Sequence, residues 1–220
     1  MKKSTLRLFD LLWAAVIAAV VIMLAVPASR GAYLAFTAAH RYIVGFINFA
    51  VLATMGDLLA HRISSGKWSA GITTLIKLLV WGFIGMAITL FFAVFANGVT
   101  SAQGAGLLPF GGSVVGHAFL TSALMNLTFG PAMFIFHKFT DTLIDSRAAG
   151  LPCGLDALIA RIDWKTFFKF TVFTTIPCFW IPCHTIVFIL PVNIRVLMAA
   201  FLSIALGLLL SLRKKASAKS

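Results

Sequence analysis

Cys178, Cys183 and His184 fall in one apolar stretch and are residue types that ligate zinc or act as nucleophiles. Their i, i+5, i+6 spacing spreads them around a helix, and no fourth ligand stands near, so a tetrahedral metal site is not expected. Neighbouring Cys183 and His184 do not face each other on a helix, which disfavours a thiolate–imidazole pair. The chain also has no Gly-rich phosphate loop, nucleophile elbow, zincin motif or paired carboxylates within an apolar run. No catalytic residue, metal or other cofactor is expected, and the chain does not read as an enzyme.

What remains is a set of polar side chains in apolar surroundings. Asp57 is the one acid inside a long apolar run, with His61 at i+4 on the same face. A carboxylate at a bilayer centre costs about 2.5–3.5 kcal/mol on insertion scales. Near a helix end the cost is smaller. Asp57 therefore lines an aqueous vestibule or pairs with His61, Arg62 or Lys77. Asn48, Asn126, His117, His184 and Thr185 are further polar groups in or near apolar runs. Amides in such places either bond across helices or contact a solute. Pro177 and Pro182 interrupt the stretch Thr174–Thr185, and Pro131 follows Gly130 in another run. Each removes a backbone hydrogen bond and kinks a helix, and the freed carbonyls need hydroxyls, water or a neighbouring helix. Asn48, Asp57, Asn126, His184 and Thr185 are thus the candidates for lining or bracing a polar interior, with Pro131, Pro177 and Pro182 as the kinks.

The elements that hold these residues are membrane spans. The composition is 60% apolar and 11% charged, with a mean hydropathy of +1.01. A soluble domain has about a quarter of its residues charged. Runs long enough to cross a bilayer as helices cover about residues 11–27, 42–60, 78–96, 114–136, 170–190 and 196–212. Helices are required because an open strand would leave its backbone groups unpaired in hydrocarbon. With the N-terminus in the cytoplasm, fifteen of the eighteen Lys and Arg residues fall on the inner side. Only Arg30, Arg41 and Arg195 fall outside. The positive-inside rule is met by an all-α, six-helix bundle with both termini cytoplasmic, forming a single transmembrane domain over 1–220.

The intervening segments carry their own signals. Residues 154–164 show apolar positions at helical spacing with Asp156, Arg161 and Asp163 to one side, an amphipathic helix for the inner interface with Trp164 as anchor. Asn97–Ser113 is uncharged and Gly-rich, which reads as a loop against the helices or dipping into the membrane. Met1–Asp10 followed by an apolar run, with Val26-Pro27-Ala28, resembles a cleavable signal. Asp10 at the edge of that run and Pro27 within the site favour a retained first helix. Ala14–Ala18, Ala15–Ala19 and Gly112–Gly116 are small-xxx-small patterns suited to helix seams or self-association. The net charge of +12 is spread in short groups beside apolar runs, without the patch a nucleic acid needs. Three cysteines give no disulfide framework.

From the second span onward the chain resembles the Mpv17/PMP22 family of small integral membrane proteins. Met55-Gly56-Asp57 before a polar, basic segment is similar to that family's early Gly-Asp helix end. Trp81-Gly82-Phe83-Ile84-Gly85 is similar to its Gly-rich second helix, and Phe129-Gly130-Pro131 to its third. Near the C-terminus Trp180, Phe188 and Pro191–Arg195 keep the family's order. Pro182 sits one place late, His184 stands where Gln is usual, Val187 replaces Asn, and the Phe188–Pro191 gap is one residue short. The resemblance covers about residues 42–212, with the first helix additional to the family core. It implies a small helical membrane protein of a kind credited with pore or channel activity and linked to metabolite or reactive-oxygen homeostasis.

Three functions are consistent with these features. The first is an Mpv17-like channel or small-solute pathway that self-associates, its solute unspecified. The second is the membrane-embedded substrate-binding subunit of a vitamin or small-molecule transporter, for which Ala14–Ala18 is the one supporting pattern. The third is a structural or assembly protein working through protein–lipid contact. The lipid bilayer is the partner common to all. The short Lys-rich start and brief loops point to a bacterial inner membrane, with an organelle membrane as the alternative.

Overall fold

A computed structural model describes the backbone of residues 3–69 and 71–217, and the side chains of 7–69 and 71–209. Among the described residues the chain is helical and has no strand. Six helices are long and apolar enough to cross a membrane: Arg7–Ala25, Arg41–Ser65, Ile72–Gly104, Val114–Ala148, Trp164–Ile189 and Val192–Leu209. The chain is a multi-pass helical membrane protein.

The helices overrun the apolar windows read from sequence, because backbone pairing continues into polar ends that hydropathy ignores. α1 is Lys3–Ala25. It stops at Val26, and Pro27 opens α2 (Pro27–Ala39), where a missing N–H costs nothing. α3 (Arg41–Ser65) ends on Gly66 in the left-handed region, at φ 72°. α4 (Ile72–Gly104) runs through Asn97–Gly104, so the expected loop at Asn97–Ser113 shrinks to residues 105–113. Those eight extra residues contain no proline to stop a helix. α5 (Val114–Ala148) is capped by Ser113, whose Oγ accepts from the Gly116 amide at 3.1 Å, and continues through Pro131.

The amphipathic segment narrows to α6 (Leu155–Arg161), followed by α7 (Trp164–Thr166). Leu158 and Ile162 are buried while Leu155 and Ile159 are exposed. Asp163 caps α7, accepting from the Thr166 amide at 3.0 Å. The Thr166 hydrogen bonds hold its carboxyl below the usual carboxylate range.

The fifth span departs most from an ordinary helix. Phe167–Trp180, labelled π1, is a π-helix, followed by α8 (Ile181–Ile189) and α9 (Val192–Ser217). Its wider turns bond five residues back. The hydroxyls of Thr174 and Thr175 follow the same register, donating to the carbonyls of Lys169 and Phe170 at 2.8 and 3.0 Å. The Ile181 amide likewise donates to the Ile176 carbonyl. In an α-turn the Pro177 ring would press on the carbonyl four residues earlier, a clash that a wider turn relieves. Pro182 opens α8, where its lack of an N–H is harmless.

The described chain divides into two compact units. The first comprises the described parts of Met1–Gly85 and Ala200–Ser220, the second Met86–Ala199. In the first, α3 is the buried centre, contributing Val44, Phe49, Leu52 and Ala53. Glycines let backbones meet there. A Cβ on Gly85 would strike the Gly45 carbonyl, and one on Gly207 would strike that of Gly56. Hydrocarbon supplies no hydrophobic drive between helices, so such close van der Waals contact carries the packing. Ala14, Ala15, Ala18 and Ala19 are exposed, and Gly116 faces Phe110 of its own loop. The helix seams in this unit run through Gly45, Gly56, Gly85 and Gly207 instead. In the second unit α5 lies along α8 and π1, with Ile176, Thr121 and Ser122 fully enclosed.

Candidate functional site

Polar side chains in the first unit find partners on other helices. Asn48 Nδ2 donates to the Tyr33 hydroxyl on α2 at 2.9 Å. Burial pushes the Tyr33 phenol above its ordinary pKa, with the Asn48 hydrogen bond opposing the shift. Asp57 is exposed, and its Oδ2 accepts from Trp81 Nε1 on α4 at 2.8 Å. Two of the residues expected beside Asp57, His61 and Arg62, bond to other groups. His61 Nδ1 lies 3.0 Å from the Lys67 carbonyl and 3.2 Å from Ser65 Oγ, within the turn that ends α3. Arg62 forks onto Asp10 of α1, with Nε to Oδ1 at 3.0 Å and Nη2 to Oδ2 at 3.1 Å. Trp68 Nε1 donates to the same Oδ1 at 2.9 Å. Asp10 thereby ties α1 to α3 and to the segment after it.

The second unit encloses a polar seam. Asn126 and His184, expected from sequence as separate candidates, meet in the interior: Asn126 Nδ2 is 3.0 Å from His184 Nδ1. The same Nδ2 donates to the Ser122 carbonyl at 2.9 Å. Both its hydrogens are used when His184 carries its proton on Nε2. The His184 ring stacks on Trp180, with centroids 5.1 Å apart, and meets Phe92 edge-on. Trp180 Nε1 is buried without a hydrogen-bond partner among the described residues. Thr185 turns back on its own helix, donating to the Ile181 carbonyl at 2.7 Å, and Ser122 Oγ donates to that carbonyl at 2.8 Å. One carbonyl at the π1–α8 junction thus takes two hydroxyls.

Of the candidates, Asn126, His184 and Thr185 share this seam and its neighbouring turn. Asn48 and Asp57 sit on α3 in the other unit. Pro177 and Pro182 flank the seam's backbone, and Pro131 stands one turn beyond Asn126 on α5.

A second feature escaped the sequence reading. A cleft of about 450 Å³ is lined by Thr100, Gln103, Gly112, Ser113, His117 and Arg195, with Phe188 and Ile189 as apolar wall. Helix ends build it: the last turn of α4, the first turns of α5 and α9, and the last turn of α8. His117 Nε2 donates to the Ala96 carbonyl at 3.1 Å and lies 3.0 Å from Thr100 Oγ1. Arg195 Nε donates to the Leu190 carbonyl at 2.8 Å, and its guanidinium carbon stands 5.6 Å from the Phe188 ring centre. The run Gly111-Gly112-Ser113 before an apolar stretch is a helix-start signature that could have flagged one wall. The approach of Arg195 has no local signal.

Comparisons with protein-family models, with characterised proteins and with solved structures each return no match. The site is therefore read from its own chemistry.

Proposed function

We propose that this chain provides a pathway for a small solute across a membrane, as a divergent protein of the Mpv17/PMP22 type rather than an enzyme. The observation that carries this reading is the Ser122–Asn126–His184 seam beside a span broken into π and α halves. Buried polar side chains in a span are expensive, and interrupted helices near the midplane are where transport proteins place their sites. π-Helical turns also concentrate at functional sites. The resemblance over residues 42–212 supports the same reading. The positive-inside distribution supports cytoplasmic termini, and the brief loops support a bacterial inner membrane.

Reconstituted liposomes test it. Protein in the bilayer should let small entrapped solutes escape, and the double variant Asn126→Leu, His184→Leu should reduce the rate. Vesicles that stay sealed around well-folded protein would rule the pathway out.

A second reading, a structural or assembly protein, is favoured by the hydrogen-bonding of Asn48, Asp57 and Asn126 to protein partners. Leu155, exposed on α6, then matters more than the seam. Loss of function in Leu155→Asp, with the double variant Asn126→Leu, His184→Leu silent, selects this reading over the pathway.

A further inference from the structure

We propose that the cleft between the start of α5 and Arg195 binds a phosphate group. The inference does not rest on the pathway reading and stands whether or not the chain conducts.

Arg195 carries it. The side chain is half-buried, and no carboxylate pairs with it among the described residues. Cations drawn out of water are ordinarily paired, so a guanidinium left without a counter-ion in a concave site calls for one from outside the chain. Its setting is fixed rather than loose. The Nε bond to the Leu190 carbonyl and the Phe188 ring hold the guanidinium plane, and both terminal amino groups lack a protein acceptor among the described residues.

The start of α5 lines the same cleft. Ser113 caps α5 by taking the Gly116 amide. That leaves the Val114 and Val115 amides without an intrahelical acceptor, at the positive end of a 35-residue helix. Gly112 lies at φ 81° and adds no side chain that would keep a ligand from this backbone. Gln103 Nε2 donates to the Pro109 carbonyl at 2.9 Å and steadies the loop.

The negative ends of α4 and α8 oppose an anion, but their last carbonyls are partly covered. The Ala105, Gly106 and Leu107 amides bond back onto the end of α4, and Arg195 covers Leu190. No Asp lines the cleft. A full positive charge therefore outweighs the residual partial charges. Donors arriving from two separate elements suit a tetrahedral oxyanion better than a planar carboxylate. The volume exceeds what phosphate alone needs, and Phe188, Ile189 and Val114 would take an apolar appendage. An anionic lipid headgroup and a soluble phosphate compound both meet this description.

Two probes separate those sources on the intact purified chain in micelles: inorganic phosphate by equilibrium dialysis, and phosphatidylglycerol by native mass spectrometry. Saturable binding of at least one is expected. Arg195→Gln should weaken it at least tenfold. So should Val114→Asp, which places a carboxylate in the cleft at a helix position where Asp favours folding. Val114→Asn should bind like the parent. Phosphate binding identifies a soluble ligand, and binding of the lipid alone identifies a headgroup. The proposal is overturned if neither probe saturates the parent chain, or if Val114→Asp, eluting as folded protein, binds as tightly as Val114→Asn.

Discussion

Asn126 and His184 show how a polar residue becomes affordable in hydrocarbon. Each would be a liability alone, and each supplies what the other lacks. Their interaction should be measurable as a coupling free energy of about 0.6–1.7 kcal/mol, the range found for hydrogen bonds within membrane bundles. A double-mutant cycle on Asn126→Leu and His184→Leu, followed by denaturant unfolding in micelles, checks this, and additivity of the two would show that the contact contributes nothing. Sequence reading could pick out both residues from polarity alone. It could not pair them, because 58 positions separate them and no local periodicity links α5 to α8. The same holds for Asp57, whose indole partner lies 24 residues away while its local neighbours His61 and Arg62 are engaged elsewhere.

Among the elements, the glycine crossings make the sharpest prediction. Gly85→Leu must push α4 off the Gly45 carbonyl and should lower stability by about 1–3 kcal/mol. Gly31→Ala on α2 meets nothing within 4 Å and should leave stability unchanged or raise it by up to about 1 kcal/mol. Unfolding of both variants in micelles compares them directly, and equal effects would mean that the crossing is not a close contact. Ser113→Ala should cost about 1 kcal/mol through loss of the α5 cap, with Ser113→Asp restoring it in the same assay. The six spans were legible because twenty apolar residues have few alternatives in a chain this poor in charge. Their ends were not, since α4 carries on through uncharged Asn97–Gly104. Nor was π1: two prolines announce an interruption, and only the tertiary setting decides whether it takes the form of a bend or a wider helix.

For the molecule as a whole, the alternation of spans fixes which connections share a face. In a cysteine-free background, single reporters at Ser64→Cys and Gly154→Cys should react with an impermeant thiol reagent from one side of a sealed membrane, and Leu107→Cys from the other. Labelling of all three from one side would break the six-span order.

The carboxylate of Asp10 gives this architecture a schedule. Its two clasps, Arg62 and Trp68, come 52 and 58 residues later in the chain. α1 packs on α2, and both are synthesised before either clasp of its carboxylate exists. It is latched only after α3 has threaded across and the ribosome has released the following turn. The clip on this half of the protein is thus a late arrival, and loosening it by Asp10→Asn should leave α1 held to α3 by Trp13, whose Nε1 donates to the Met55 carbonyl at 3.0 Å.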